Sequence, residues 1–458
     1  MAPRKRYSVL RDPVHGDIYL THEELALLDT REMQRLRGVK QLGTAYLVFP
    51  GALHTRFDHS IGSLHMAARM IESVNLSAEL DPAGSTGISE EEARVIRAAA
   101  LVHDITHIPF GHSIEDQDGI FGRHDRPERF QKLLGEGTEV GRVLREQGLS
   151  EDVLAVLGAN PGRRIPPCWS QIVGGTIASD ILDYLARDAY FTGLRLSVDP
   201  RVTSYFKIDR FTGNLFLDLA KHDLLREDIL SEIVRLLEAR YYFSERVYYH
   251  HAKVAAGALL ARAVELCLRE KLLAEDDFYM TTDDSLLDVL ERAGERARPA
   301  TGRRIRSLVQ RYRDRRLPKR ACVFPRQQNE GAQAELVSKY FALEGHAART
   351  AVEERVQDLV RFATGRDIEV MVVCPARRMQ LKEAATHVRW PGDDALRPLA
   401  EHSSKVPRLA DLERSYRDLW KFYVFADTDE PELIAKVGEI AAGEFPLARN
   451  LYTAARGS

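Results

Sequence analysis

The chain has 458 residues, 44% of them hydrophobic and 29% charged, with a formal net charge of −3. That length is more than one compact core holds and predicts two lobes, while the near-neutral balance excludes a molecule coated overall with positive charge for a polyanion. Four cysteines, Cys168, Cys267, Cys322 and Cys374, form no CxxC pair, which argues against a zinc ribbon or a disulfide framework and predicts a reducing, cytoplasmic setting.

The chain opens on the basic run MAPRKR, without the apolar stretch of a signal peptide. Asp12-Pro13 and His15-Gly16-Asp17 then read as turns between short extended pieces. From about Glu23 to Arg37, the residues Leu25, Leu28, Met33 and Leu36 share one apolar face and predict a helix. A second helix is expected over residues 56–74, before a Pro/Gly/Ser-rich stretch at 80–88. Ser89 and Glu92 form a capping box, and Glu90 and Glu91 suit the positive end of the helix they would start. Ile96, Ala99, Ala100 and Val102 give that helix a wide apolar surface, which runs into His103-Asp104 and a break at Pro109 and Gly111. Helices are expected again over about 171–191 and 225–271.

Beyond residue 300 the character changes. Residues 301–320 hold nine Arg or Lys against one acid, Asp314. Residues 368–373 and 421–425 read as strands, and residues 431–442 as a helix. The expected fold class is mainly α: an all-helical core over residues 1–300, then a smaller C-terminal α+β lobe over residues 301–458 that carries the basic segment. Nowhere do about 18 apolar residues run together, so no membrane partner is expected.

Four positions carry the chemistry: His59, the adjacent His103 and Asp104, and Asp180. Imidazole nitrogens and carboxylate oxygens suit a divalent transition metal (Fe, Mn, Zn or Ni), and a two-His, two-carboxylate set leaves positions open for water. The bland alternative is a structural His-Asp hydrogen bond. His107, His112 and His124 follow closely and read either as a surface loop or as proton donors and phosphate contacts. His112 and Glu115, three apart, would touch on a helical turn, and the carboxylate would keep the imidazole protonated. Asp180, Tyr184 and Asp188 form one polar stripe at i, i+4 and i+8, beside an Asp183–Arg187 pair. That stripe is either a solvated face with a routine salt bridge, or a place where a ring packs a sugar between two acids. Arg240, Ser244 and Tyr248 share a face in RYYFSERVYYHHAK, where aromatic residues serve either a core or a ligand.

The stretches DTREMQRLRGVKQLGTAYLVFPGALHTRFDHSIG, LVHDITHIPFGHSIED and ASDILDYLARD together resemble the HD-domain dNTP triphosphohydrolases. The resemblance covers roughly residues 7–325 and weakens toward the end; the chain looks like an HD-only, microbial-type member, with no sterile-alpha-motif domain ahead of it. It implies metal ligation by His59, His103, Asp104 and Asp180. It implies substrate contacts by Gln41, Leu42, Arg56, His107, His124, Tyr184, Asp188, Arg240 and Tyr248, with Gln41 and Leu42 at the deoxyribose 3′ side and Tyr184 against C2′. His112 with Glu115 would protonate the leaving 5′ oxygen, and Mg would accompany the triphosphate. The substrate implied is a dNTP, released as deoxynucleoside and inorganic triphosphate.

Two departures stand out: Ile181 where relatives often carry a phosphate-gripping Lys, and Ser244 where a His would lie. The family is often a tetramer or dimer activated by GTP or dNTP bound between subunits. Asp29, Gln34 and Arg37 match residues that read guanine there; Arg315, Leu317 and Lys319 match those touching activator phosphates, with Arg226 a further match and Arg11 in place of an expected Asn. Competing readings are another HD-type nucleotidase or phosphodiesterase, and a nucleic-acid-binding regulator with a vestigial pocket, for which the 301–320 basic run is the only support.

Overall fold

The computed structural model describes residues 7–116, 122–196, 199–375, 386–393 and 395–452. A hairpin of β1 (Tyr7–Asp12) and β2 (Gly16–Thr21) comes first. The single helix expected over 23–37 is two: α1 (His22–Leu28), opened by a Thr21–Glu24 capping box, and α2 (Arg31–Arg35). Thr30 makes the break. Its backbone is extended at ψ 148°, and its hydroxyl donates to the Leu27 carbonyl at 2.7 Å, so a side chain ends what the apolar period would continue.

Three helices build the frame of the site. The helix expected over 56–74 runs further, as α3 (Arg56–Leu80), and is capped by Thr55 and Asp58. α4 (Glu90–Val102) starts at the expected Ser89–Glu92 box. Between α4 and the third helix lie α5 (His112–Glu115), α6 (Pro127–Leu133), α7 (Glu139–Glu146), α8 (Ser150–Val156) and α9 (Pro167–Gly174). The third is α10 (Ser179–Thr192), separated from α9 where one helix was expected over 171–191. A Cβ on Gly175 would lie 2.2 Å from the Gln171 carbonyl, so the chain turns there on a residue without one.

α3 packs along both α4 and α10. Gly62 permits the second contact: a Cβ there would stand 1.8 Å from Asp183 Oδ1 and 2.4 Å from Arg187 Nη2.

Next come the short strands β3 (Phe206–Ile208), β4 (Leu215–Asp218), β5 (Ala220–Lys221) and β6 (Leu224–Leu225). The helix expected over 225–271 is again split. α11 (Glu227–Phe243) loosens into a π turn over Ser244–Tyr248, and α12 (His251–Arg269) starts afresh. α13 (Asp283–Arg296) and α14 (Pro299–Arg313) pack on α12 and on each other. The basic run is therefore mostly helix, not an open loop. Arg304 and Arg311 reach Glu369, Arg313 reaches Asp288 and Glu291, and Lys319 reaches Asp429, so much of its charge is matched within the chain.

The remaining elements are β7 (Lys319–Pro325), α15 (Arg326–Asn329), α16 (Gln333–Leu336), α17 (His346–Thr364), β8 (Val370–Val373), β9 (His387–Arg389), β10 (Arg397–Pro398), α18 (Pro407–Asp418), β11 (Lys421–Ala426) and α19 (Pro431–Glu444). The fold is mostly helical, with small sheets. β7, β11 and β8 form an antiparallel sheet in that order. Met371, Val373, Tyr423 and Phe425 face the large core built by the first helices, while Val370, Val372, Phe422 and Val424 face a second core with α17 and α19. A sheet covered on both faces needs no polar alternation, which is why its strands read as unbroken apolar runs. A second sheet joins β10, β9, β4 and β3, with β4 and β9 parallel across 170 intervening residues. No helix is long and apolar enough to cross a membrane among the described residues.

Candidate active site

His59 sits one turn into α3, His103 and Asp104 stand at the end of α4, and Asp180 lies in the first turn of α10. The three helices bring them together. His59 Nε2 is 3.1 Å from Asp180 Oδ1 and 3.7 Å from Asp104 Oδ2, and His103 Nε2 is 3.6 Å from Asp104 Oδ1 and 3.8 Å from Asp180 Oδ1. One ligand atom each from His59, His103 and Asp104 lies within 4.8 Å of the others.

Both imidazoles are held in one tautomer. His59 Nδ1–H donates to Asp183 Oδ2 at 2.7 Å, and His103 Nδ1–H donates to the Ala100 carbonyl at 2.8 Å. That leaves each Nε2 as a buried lone pair with no hydrogen-bond partner. Two orphaned imidazole acceptors facing two carboxylates are a fit to a divalent cation, and the Nδ1–H···O contacts are the outer partners that such ligands use. The electrostatics show how anionic the cluster is, with a proton competing for the Nε2 position of His59 that a cation would take. Burial alone would push the His59 imidazole down, but Asp180, Asp183 and Asp104 raise it to about 10. Burial would raise Asp104, but Arg56, His103 and His107 hold it well below the usual carboxylate range. A pocket that draws a proton this strongly is one in which a metal ion displaces it.

Asp183 and Arg187, readable from spacing as a surface pair, are wholly buried. Asp183 also accepts from His15 Nε2 at 2.7 Å, and Arg187 reaches on to Asp12 at 2.8 Å, so the hairpin braces His59 from behind. The stripe on α10 is no solvated face. Asp188 is buried and accepts from His54 at 2.8 Å and from the Tyr248 hydroxyl at 2.6 Å.

The loop after α4 turns through positive φ at Phe110 (60°) and Gly111 (43°), and a Cβ on Gly111 would press 2.7 Å from Arg56 Nη2. This turn gathers the remaining histidines. His107 and His124 stack at 3.8 Å, and each meets His112 edge-on at 5.0 Å. Arg56 donates to Asp104 at 2.5 Å, and His107 Nε2 lies 3.3 Å from the other oxygen of that carboxylate. Here one expectation is corrected: His112 does not pair with Glu115. On the single turn of α5 the residue four along, Asp116, shares its face at 3.2 Å, while Glu115 turns inward to His107 (3.0 Å) and Arg129 (2.6 Å). Burial disfavours the charged His112, but Asp116 outweighs it and raises the imidazole.

A cavity of about 1260 Å³ opens in front of these groups. Gln41, Leu42, Arg56, His103, Asp104, His107, His112, Glu115, His124, Asp180, Tyr184, Asp188, Arg240 and Tyr248 all line it, and His59 stands buried behind the wall. Gln41 Oε1 is buried there without a partner. Among the lining residues that the sequence did not single out are Tyr249, Lys253 and Tyr416. Tyr416 comes from α18 and hydrogen-bonds Ser244 at 2.9 Å, in the place where a His was expected. Lys253 lies five residues after Tyr248; on a continuous helix that spacing points about 140° away, and only the break before α12 turns both to one wall.

The residues matched to an activator site lie elsewhere. Asp29 is exposed at the end of α1, Arg37 lies 3.6 Å above the Phe57 ring and donates to Gln34, and Arg226 lies 3.7 Å from Asp228. Arg11 pairs with Asp17 on the hairpin. Arg315, Leu317 and Lys319 line a separate cavity of about 360 Å³, together with His251 and Tyr452.

Comparison with known proteins places this geometry. Residues 56–187 match the HD domain, and residues 221–451 match the HD associated region. An uncharacterized protein of Methanocaldococcus jannaschii is 31% identical over 291 residues, 62% of this chain and 54% of that protein. A deoxynucleoside triphosphate triphosphohydrolase SAMHD1 homolog of Dictyostelium discoideum is 27% identical over 339 residues, 69% of this chain and 60% of that protein. The chain thus spans little more than half the length of these relatives. The crystal structure of a hypothetical protein from Aquifex aeolicus shares the fold, with a TM-score of 0.63 at 24% identity over 95% of this chain and 99% of that one. With the paired histidines and aspartates on α3, α4 and α10 and the associated region folded against them, the chain belongs to the HD-domain phosphohydrolases that carry an HD-associated region.

Proposed function

We propose that this protein hydrolyses deoxynucleoside triphosphates to deoxynucleosides and inorganic triphosphate. The observation that carries the reading is the pair of orphaned Nε2 atoms of His59 and His103 facing Asp104 and Asp180, at the back of a cavity lined by cations and tyrosines. The curated relative from Dictyostelium discoideum bears this activity in its name.

His59, His103, Asp104 and Asp180 would hold a divalent transition metal, which would supply water activation near neutral pH and neutralise phosphate charge. The chain's own residues do the rest. Arg56 and His107, both against Asp104, are placed to stabilise charge on the α-phosphate oxygens. His112, kept protonated by Asp116, gives a proton to the departing 5′ oxygen. Asp188, fixed by His54 and Tyr248, and the open Gln41 Oε1 hold the sugar hydroxyl. Tyr184, its ring centroid 6.4 Å from both the His59 and Tyr248 rings, would pack against the sugar and disfavour a ribose 2′-hydroxyl. Mg travels with the triphosphate.

The test is product identification. Each of the four dNTPs is incubated with the protein, with Mg or Mn, alone and with GTP, and anions are separated by chromatography. Triphosphate release that falls to background in a His103→Ala/Asp104→Ala variant is the expected result. Orthophosphate as the product, or activity undiminished in the variant, would assign a different reaction to the site.

A further inference from the structure

Lys253 stands in the first turn of α12, three residues past the His250 cap, on the wall shared by Arg56, Asp188 and Tyr248. Its ammonium donates to the Tyr248 carbonyl at 3.2 Å, and among the described residues no ion pair engages it. The Thr44 hydroxyl donates to Lys253's own carbonyl at 3.0 Å, so its backbone is pinned to the cavity wall. No acid occupies the first turn of this 19-residue helix, whose N-terminal end is itself electropositive. One carbonyl satisfies one of the three ammonium donors. An apolar residue of the same length would fill the position without the cost of desolvating a charge. Burial accordingly pushes the ammonium down to about 8, with Asp116 and Asp188 acting upward and Arg56 downward.

A cation kept at a cavity wall, against its helix's field, with the Tyr248 ring 5.7 Å away and no direct ion pair among the described residues, is complementary to an anion that enters the cavity. We propose that Lys253 is a phosphate-binding residue of this site, its ammonium donating to a non-bridging phosphate oxygen of the substrate. The proposal rests on the phosphohydrolase reading above. It also gives the departure at residue 181 a physical counterpart: buried, apolar Ile181 beside Asp180 offers phosphate nothing, and α12 delivers a cation into the same cavity. The phosphate is either the 5′-triphosphate or a phosphate on the 3′ side of the sugar, since Lys253 bonds Thr44 and Tyr248 and lines the same cavity as Leu42.

The experiment uses the metal-loaded full chain, with Lys253→Met and Lys253→Arg. Titration calorimetry measures inorganic tripolyphosphate and 2′-deoxyadenosine 3′-phosphate as separate probes, and steady-state kinetics gives KM and kcat for dNTPs. Wild type is expected to bind tripolyphosphate; Lys253→Met weakens it by about tenfold or more, Lys253→Arg keeps most of the affinity, and KM rises more than kcat falls. Loss confined to the 3′-phosphate probe would support the same role with the phosphate on the other side of the sugar. Unchanged binding of both probes by Lys253→Met, with melting curves superimposed on wild type, overturns the proposal. Wild type that binds neither probe and releases no triphosphate overturns the phosphohydrolase reading, and this role with it.

Discussion

At the scale of single residues, the site is a set of buried groups each oriented by a second group that does no chemistry. Asp183 is the clearest. It holds the His59 ring by Nδ1 at 2.7 Å and is itself fixed by His15 and Arg187. Asp183→Asn keeps the shape but weakens the acceptor, and outer partners of this kind change metal affinity by about 10- to 100-fold. Metal retained after chelator competition, read by mass spectrometry, is expected to drop by that factor; retention equal to wild type would show that Asp183 serves only the fold. The cluster of His59, His103, Asp104 and Asp180 was legible as a candidate site, because a His-Asp pair ending a capped apolar helix must be compensated. Their supports were not. His15 and Asp183 are 168 residues apart and carry no local signal of contact, and Glu115 in place of Asp116 was a choice between two neighbouring acids that spacing alone does not decide.

At the scale of elements, the apolar period located the helices that carry His59, His103, Asp104 and Asp180, but not α18, which brings Tyr416 to the cavity, nor the breaks between helices. Ser89 announced the start of α4 because its cap is written in four consecutive residues. The breaks at Thr30, at Gly175 and at His250 were hidden because apolar residues on either side still face one core, and the period runs through them unchanged. The most consequential element contact rests on Gly62, where α3 and α10 approach so closely that Asp183 fills the space of a Cβ. Gly62→Ala forces the helices apart, and overpacking of this kind costs about 1–3 kcal/mol. Because the displaced carboxylate is the one that orients His59, stability and metal affinity are expected to fall together. Denaturant unfolding and metal content measured on the same preparation check this; a variant that loses neither would mean that the helix contact is looser than the structure shows.

At the scale of the whole molecule, the C-terminal sheet is not an appendage but a shared wall between two cores, and its docking includes several ion pairs, among them Arg311 with Glu369 and Asp427, and Arg349 with Glu265. Arg262 of α12, in the large core, forms a bidentate pair with Glu353 of α17 at 2.7 and 2.8 Å, and Glu353 also accepts from the Val372 amide of β8 at 2.8 Å. None of this was legible, since pairing across 91 residues leaves no periodic trace. Burial would raise the Glu353 carboxyl, but Arg262 and the Val372 amide outweigh it and hold it below its ordinary 4.5. A carboxyl lowered in the folded state stabilises above that value and loses its contribution as pH falls below it.

Arg262→Met leaves the buried carboxylate with only the weaker influence of Arg349 and also takes a cation from Glu265, and losing one partner of a buried pair costs about 3–5 kcal/mol. The deficit is expected to be largest near neutral pH and to shrink on acidification, as Glu353 takes up a proton in both proteins. Adding Glu353→Gln removes the uncompensated charge while keeping an acceptor for the Val372 amide, so the double variant is expected to recover part of the loss. Urea unfolding of wild type, single and double variants across the acidic range measures all three. A single-variant deficit that is flat with pH, or a double variant no better than the single, would mean that the ion pair does not couple the two cores. Because Tyr416, Val337 and Ala342 reach the large cavity from beyond that joint, loosening it is expected to raise KM for the proposed dNTP hydrolysis before unfolding is detectable.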